Sequence, residues 1–185
     1  TDDLVPPGTL TVKLLRSPYA SARITAIDTT VASKVPGVVC ILTHEDVPKI
    51  RYSFAGSNYP GNNPFDRYIL EDVVRYVGDP VAVIAAENEA AAIRAMKLVK
   101  VTYEQLPPVL DFETAEGNAS VVHDEDDYFY QMDIGGDIKK NLLSSEGFEH
   151  GDFDAVFAAC PVQLDETYYT KQNQQAMMET FRAFS

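Results

Sequence analysis

The chain has 185 residues, 45% of them hydrophobic and 23% charged, with a formal net charge of −13. That hydrophobic share is normal for a packed globular core and argues against wholesale disorder, while no apolar run approaches the ~18 residues of a membrane helix. So strong a polyanion repels phosphate backbones, and with no Lys/Arg cluster to offset it neither nucleic acid nor membrane is expected as a partner.

Leu10-Thr11-Val12-Lys13-Leu14 alternates apolar and polar residues, which predicts a half-buried strand. Arg16-Ser17-Pro18-Tyr19 ends it, because proline has no amide to give to a ladder. Ile24 to Asp28 predicts a second strand, and Thr29 to Val35 a short helix stopped by Pro36-Gly37. Val38-Val39-Cys40-Ile41-Leu42 is a short continuous apolar run, as in a strand buried on both faces. Thr43 followed by Asp46 resembles a helix start. Residues 48–67, rich in Gly, Pro, Asn and Ser, read as a loop.

Val73 to Val77 and Val81 to Ala86 are strand candidates on either side of a Gly78-Asp79-Pro80 turn. Asn88 is a helix cap, and Ala92, Ala95, Met96 and Val99 fall on one helical face with Arg94 and Lys97 opposite. Val101-Thr102-Tyr103 alternates again until Leu106-Pro107-Pro108. Residues 113–151 lose periodicity and read as an acidic linker. Asp152 caps a short helix carrying Phe153, Val156 and Phe157, and Val162 to Thr170 and Ala176 to Phe184 are two further strand candidates. The second of these runs into Ser185 without a turn, so the chain is expected to be a piece of a longer one. The fold class implied is α+β.

Candidate chemistry is sparse. Cys40 and Cys160 are the only cysteines; a buried free thiol at Cys40 in a reducing cytoplasm is the simpler expectation, with a disulfide between the two as the alternative. His44, His123 and His150 are far apart and form no metal pair. Asp124-Glu125-Asp126-Asp127 lacks the alternating spacing of a calcium loop and reads as a solvated turn. Gly135-Gly136 belongs to no phosphate-binding motif, and no G-x-S-x-G nucleophile elbow occurs. By pattern alone Met177-Met178-Glu179 is a strand with a buried Met face. No catalytic, cofactor-binding or metal-binding residue is assigned.

The order of short motifs adds more. Arg16-Ser17-Pro18-Tyr19-Ala20, Pro36-Gly37-Val38-Val39, Thr43-His44-Glu45-Asp46-Val47-Pro48, Arg75-Tyr76-Val77-Gly78-Asp79-Pro80-Val81-Ala82 and Val101-Thr102-Tyr103-Glu104 follow one another. In that order they resemble the α/β hammerhead domain of the xanthine dehydrogenase and aldehyde oxidase family, the molybdenum hydroxylases. Asn141, Gly151-Asp152, Tyr168 and Met178-Glu179 are similar to the entry into the family's molybdopterin-binding domain. The resemblance implies a hammerhead over residues 1–112, a linker over 113–151 and the start of the molybdopterin-binding domain over 152–185. It also implies an oxidoreductase that hydroxylates a purine, another N-heterocycle or an aldehyde with oxygen from water. Molybdenum-molybdopterin would be held by later parts of the full-length protein, and 2Fe-2S clusters and FAD by partner domains or subunits. The hammerhead itself is structural in this reading, and the isolated piece inactive. Gln175, Thr180 and Ser21 depart from residues frequent in relatives (His, Pro and His), and the Gln175/Thr180 pair leans toward purine or heterocycle hydroxylation. The alternative is a free-standing hammerhead used as a scaffold or binding module.

Overall fold

Along the residues described (5–53, 64–130, 132–179, 181 and 183–184 of a computed structural model), strands dominate and the two α-helices are short. Two compact units emerge, Gly8–Glu146 and the terminal segments Thr1–Pro7 with Gly147–Ser185. The larger one runs past residue 112, where the sequence places its edge.

In the larger unit β1 (Thr11–Arg16), β6 (Pro80–Ala86) and β3 (Val38–Leu42) form an antiparallel sheet with β6 in the centre. β6 is the most buried strand, as its unbroken apolar run requires. Helix α1 (Glu89–Met96) starts where Asn88 accepts a hydrogen bond from the Ala91 amide at 2.9 Å. It lays Ala91, Ala92 and Ala95 on Ala82, Ile84 and Ala86. Such small side chains let helix and sheet approach closely. Gly37 closes the same corner at φ 88°, where a Cβ would stand 3.3 Å from that of Ala91.

The second sheet, β5 (Val73–Val74), β2 (Ala22–Asp28) and β7 (Lys100–Gln105), is also antiparallel. Its core is Ala22, Ile24, Val74 and Val81, with Tyr19 and Tyr103 in edge contact at 5.1 Å. Leu15 packs against both cores and joins them. The motif Arg16-Ser17 meets the Gly78-Asp79 turn here: Ser17 N donates to Asp79 O and Gly78 N to Ser17 O, both at 2.8 Å, and Arg16 Nη1 donates to Gly78 O. Two of the recurring motifs are therefore one joint.

Several expectations are corrected. Alternation in β1 holds, yet Val12 and Leu14 point away from the helix and are 54% and 37% exposed, because α1 covers the Thr11/Lys13/Leu15 face, with Lys13 paired to Glu89. β3 is an edge strand rather than one buried on both faces. A bulge between Val38 and Cys40 turns Val39 outward, and both Cys40 and Cys160 are free and exposed. Thr29 to Val35 holds only a 3-10 turn, Ala32–Lys34. Thr43 to Asp46 makes a turn in which Asp46 accepts from the Thr43 amide and hydroxyl, and Pro48 follows too soon for a helix. Val73 to Val77 shortens to β5, which lies in a different sheet from β6, so the Gly78 turn joins two sheets.

Half of the loop read at 48–67 lies outside the described residues, as do Thr180 and part of the last strand candidate. At its described end β4 (Pro64–Phe65) pairs with β8 (Phe129–Tyr130) inside the acidic stretch, and Phe65 stacks on Phe129 at 4.5 Å. The 3-10 turns at Phe112–Thr114 and Ile138–Lys140 add local structure to the same part of the chain.

In the terminal unit α2 (Phe153–Ala159) is capped by Asp152, which accepts from Ala155 N at 3.0 Å. Neither Val162 to Thr170 nor the described part of Ala176 to Phe184 forms a strand. Strand propensity is realised only against a partner edge, none is present among the described residues, and Ala176 sits at φ 51°, outside the extended region. Met177 and Met178 are exposed, so no Met face is buried.

Candidate functional site

A cluster of charged side chains forms in the larger unit where the acidic run folds back onto Arg51 and Arg75. Arg51 Nη2 donates to Asp127 Oδ1 at 2.6 Å, and its Nη1 lies 3.3 Å from Glu125 Oε1. Arg75 Nη2 reaches the same Glu125 oxygen at 3.2 Å, while Arg75 Nη1 pairs with Glu71 and Nε donates to Val122 O. The Tyr68 hydroxyl donates to Asp127, and the Arg51 guanidinium stacks 4.4 Å from the Tyr68 ring centre. His123 Nδ1 completes the cluster at 2.6 Å from Glu125 Oε1.

The cluster is largely dry. The side chain of Arg51 is 5% exposed and that of Glu125 16%, and Arg51 Nε and Glu125 Oε2 are buried without a partner among the described residues. Burial works against charge on Glu125, but the His123 hydrogen bond, its own backbone amide and the Arg75 charge outweigh it and hold the carboxyl down at about 2. Hydrogen bonds from Arg51 and then Tyr68 hold Asp127 at about 2 as well. By contrast burial pushes the Asp79 carboxyl up, against the Arg75 amide that it accepts from. The acidic run is thus not a wholly solvated turn: Glu125 and Asp127 face the arginines, while Asp126 reaches Lys139.

Beside this clasp lies a cleft of about 320 Å³ whose walls include Val122, His123, Tyr128, Ile138, Leu142 and Leu143. Its floor is tied by Asn141. In a left-handed conformation (φ 60°), Asn141 accepts from Val122 N through Oδ1 and donates through Nδ2 to Ala115 O and Ser120 O. Tyr128 and Tyr130 are linked through their hydroxyls, Tyr130 donates to Leu143 O, and burial pushes the Tyr128 hydroxyl well above its ordinary range.

The remaining sequence candidates are dispersed. Of the three histidines only His123 enters the cluster; a buried Nδ1 of His44 has no partner among the described residues, and His150 stacks on Phe148. Gly135-Gly136 is a packing device: a Cβ on Gly135 would lie 2.2 Å from Ser145 O, and one on Gly136 2.3 Å from the Tyr130 hydroxyl. Gly136→Ala is therefore expected to lose about 2 kcal/mol or more in urea denaturation. Arg51, Arg75 and Tyr68 escape a reading of the sequence. Nothing along the chain pairs them with carboxylates 50 to 76 positions away.

Residues 1–107 match the family described as aldehyde oxidase and xanthine dehydrogenase, a/b hammerhead domain. The chain belongs to that family. The probable hypoxanthine oxidase XdhD of Escherichia coli (strain K12) is 36% identical over 100% of this chain, which spans 22% of that relative. The xanthine dehydrogenase molybdenum-binding subunit of Escherichia coli O157:H7 is 32% identical over 97% of the chain and 23% of its own length. Among solved structures, quinoline 2-oxidoreductase from Pseudomonas putida 86 is similar with a TM-score of 0.54 at 36% identity, over 62% of this chain and 15% of that one. The aldehyde oxidoreductase of Desulfovibrio gigas gives 0.55 at 32%, over 65% and 14%. The α+β hammerhead expected from the motifs is thereby established, and the chain spans less than a quarter of these curated bacterial relatives. Among the described residues no helix is long and apolar enough to cross a membrane.

Proposed function

We propose that this hammerhead is the leading, structural part of the molybdenum-binding subunit of a hydroxylase acting on a purine, another N-heterocycle or an aldehyde with oxygen from water. The observation that carries the reading is similarity along the whole chain to a much longer probable hypoxanthine oxidase. Residues 152–185 would open the molybdopterin-binding domain, and 113–151 would connect it to the hammerhead. The cofactor would supply the oxidation chemistry, with 2Fe-2S and FAD partners carrying electrons away and the cytoplasm as the setting.

The residues present do not fit the molybdenum group. Among those described, no three His, Cys, Asp or Glu side chains converge as metal ligands, and the Gly135-Gly136 pair has its space filled by Ser145 and Tyr130. No residue of this chain is assigned to hold the cofactor.

Reading the gene past the codon for Ser185 and assaying the protein that it encodes tests the proposal. Glycine-rich cofactor loops and heavy oxygen from labelled water appearing in hydroxylated hypoxanthine, quinoline or an aldehyde are expected. A stop codon there, leaving a free-standing scaffold, would overturn it.

A further inference from the structure

We infer that the cleft beside the charge clasp is a binding site for a small, neutral aromatic molecule carrying one hydrogen-bond donor, of the phenol class. Such a site goes beyond the proposed function. Its size sets the ligand's size. At about 320 Å³ it stands at the bottom of the range for ligand pockets, and a cavity of roughly half that volume accepts benzene. One ring, or two small ones, fill it.

Its shape is held before any ligand arrives. Asn141 bridges the walls at Ala115, Ser120 and Val122, and Gly117 N donates to Lys140 O across the same floor. Tyr128 is fixed through Tyr130 to Leu143. A site already ordered loses little freedom on binding.

The polar handle is His123. Glu125 Oε1, 2.6 Å away, belongs to an ionised carboxylate that can only accept, so the shared proton sits on Nδ1. In the neutral imidazole Nε2 is then the acceptor nitrogen, on a side chain that lines the cleft. A ligand meeting it must donate. The Tyr128 ring, 5.3 Å from that of His123, offers an aromatic wall. Asp111 accepts from the Glu113 amide and Asn141 is engaged by the backbone, and the other lining side chains are apolar and penalise a net charge on the ligand.

Phenol and benzene titrated into the chain in mildly alkaline buffer, followed by amide NMR shifts, test the inference. Saturable shifts centred on Val122, His123 and Leu142 are expected, with phenol bound about fivefold more tightly than benzene, the worth of one neutral hydrogen bond. His123→Leu should remove that preference while keeping benzene binding. Ala115→Phe, which fills the cleft, should abolish both. Unsaturable or scattered shifts, equal affinity for the two probes, or unchanged binding in a folded Ala115→Phe variant would overturn it.

Discussion

Glu125→Gln should lower the stability of the chain by about 3 kcal/mol at neutral pH, measured by urea denaturation. The variant leaves the Arg51 and Arg75 guanidinium groups facing an uncharged partner in a largely water-free position, and breaking a buried pair costs about 3–5 kcal/mol. The dependence on pH is the sharper signature. Folding lowers the Glu125 carboxyl from 4.5 to about 2, so its stabilisation is complete above the unfolded value and disappears as pH falls through the window down to the folded one. The amount at stake is on the order of 3 kcal/mol. Wild type and variant should therefore converge in stability between these two pH values. Parallel curves would mean that the clasp does not hold the acidic segment. Asp127→Asn should cost less, about 1 kcal/mol, because the Asp127 side chain is 53% exposed and its ion pair is screened.

The full chain should self-associate as salt rises, whereas a chain ending at Glu146 should sediment as a monomer throughout. The terminal unit exposes Phe153, Leu164, Tyr168 (85%), Tyr169 and Phe181 (80%). Covering such surface is favourable by roughly 25 cal/mol per Å², or about 2 kcal/mol per large side chain. Repulsion between copies of net charge −13 opposes this at low salt and is screened at high salt. Replacing Tyr168 and Phe181 together by Asp should weaken association tenfold or more. Monomeric behaviour of the full chain at every salt concentration would refute the prediction. The cause is apolar surface, since the strands expected there do not form.

What could be read from sequence follows how local each signal is. Asn88 and the alanine face of α1 are neighbours along the chain, and they fold as their spacing requires. The run Val81 to Ala86 fixes a buried central strand for the same reason. Which side of β1 is buried depends on where α1 lands, so the apolar side of Leu10-Thr11-Val12-Lys13-Leu14 misleads. The clasp stays hidden because charge composition does not pair Arg51 with Asp127. Tyr168 and Tyr169 have the right propensity for a strand and, among the described residues, no edge to join. The family is legible because Arg16-Ser17 and Gly78-Asp79 each keep a recognisable short form, although nothing in the sequence says that they touch.

That joint also bears on how the molecule is made. β1 leaves the ribosome well before its partner β6, which ends at Ala86. The hydroxyl of Thr25 waits for Thr102, 77 positions on, and Arg51 for Asp127, 76 on. Few contacts besides those of the helices and turns can form early, and loop closure must precede the reward for pairing. Translation runs at about 5–20 residues per second, so Val12 and Leu14 spend several seconds without a sheet. Throughout that interval the nascent chain presents an unpaired apolar segment, and this is the period in which chaperone capture or misassembly with a neighbouring nascent chain competes with folding.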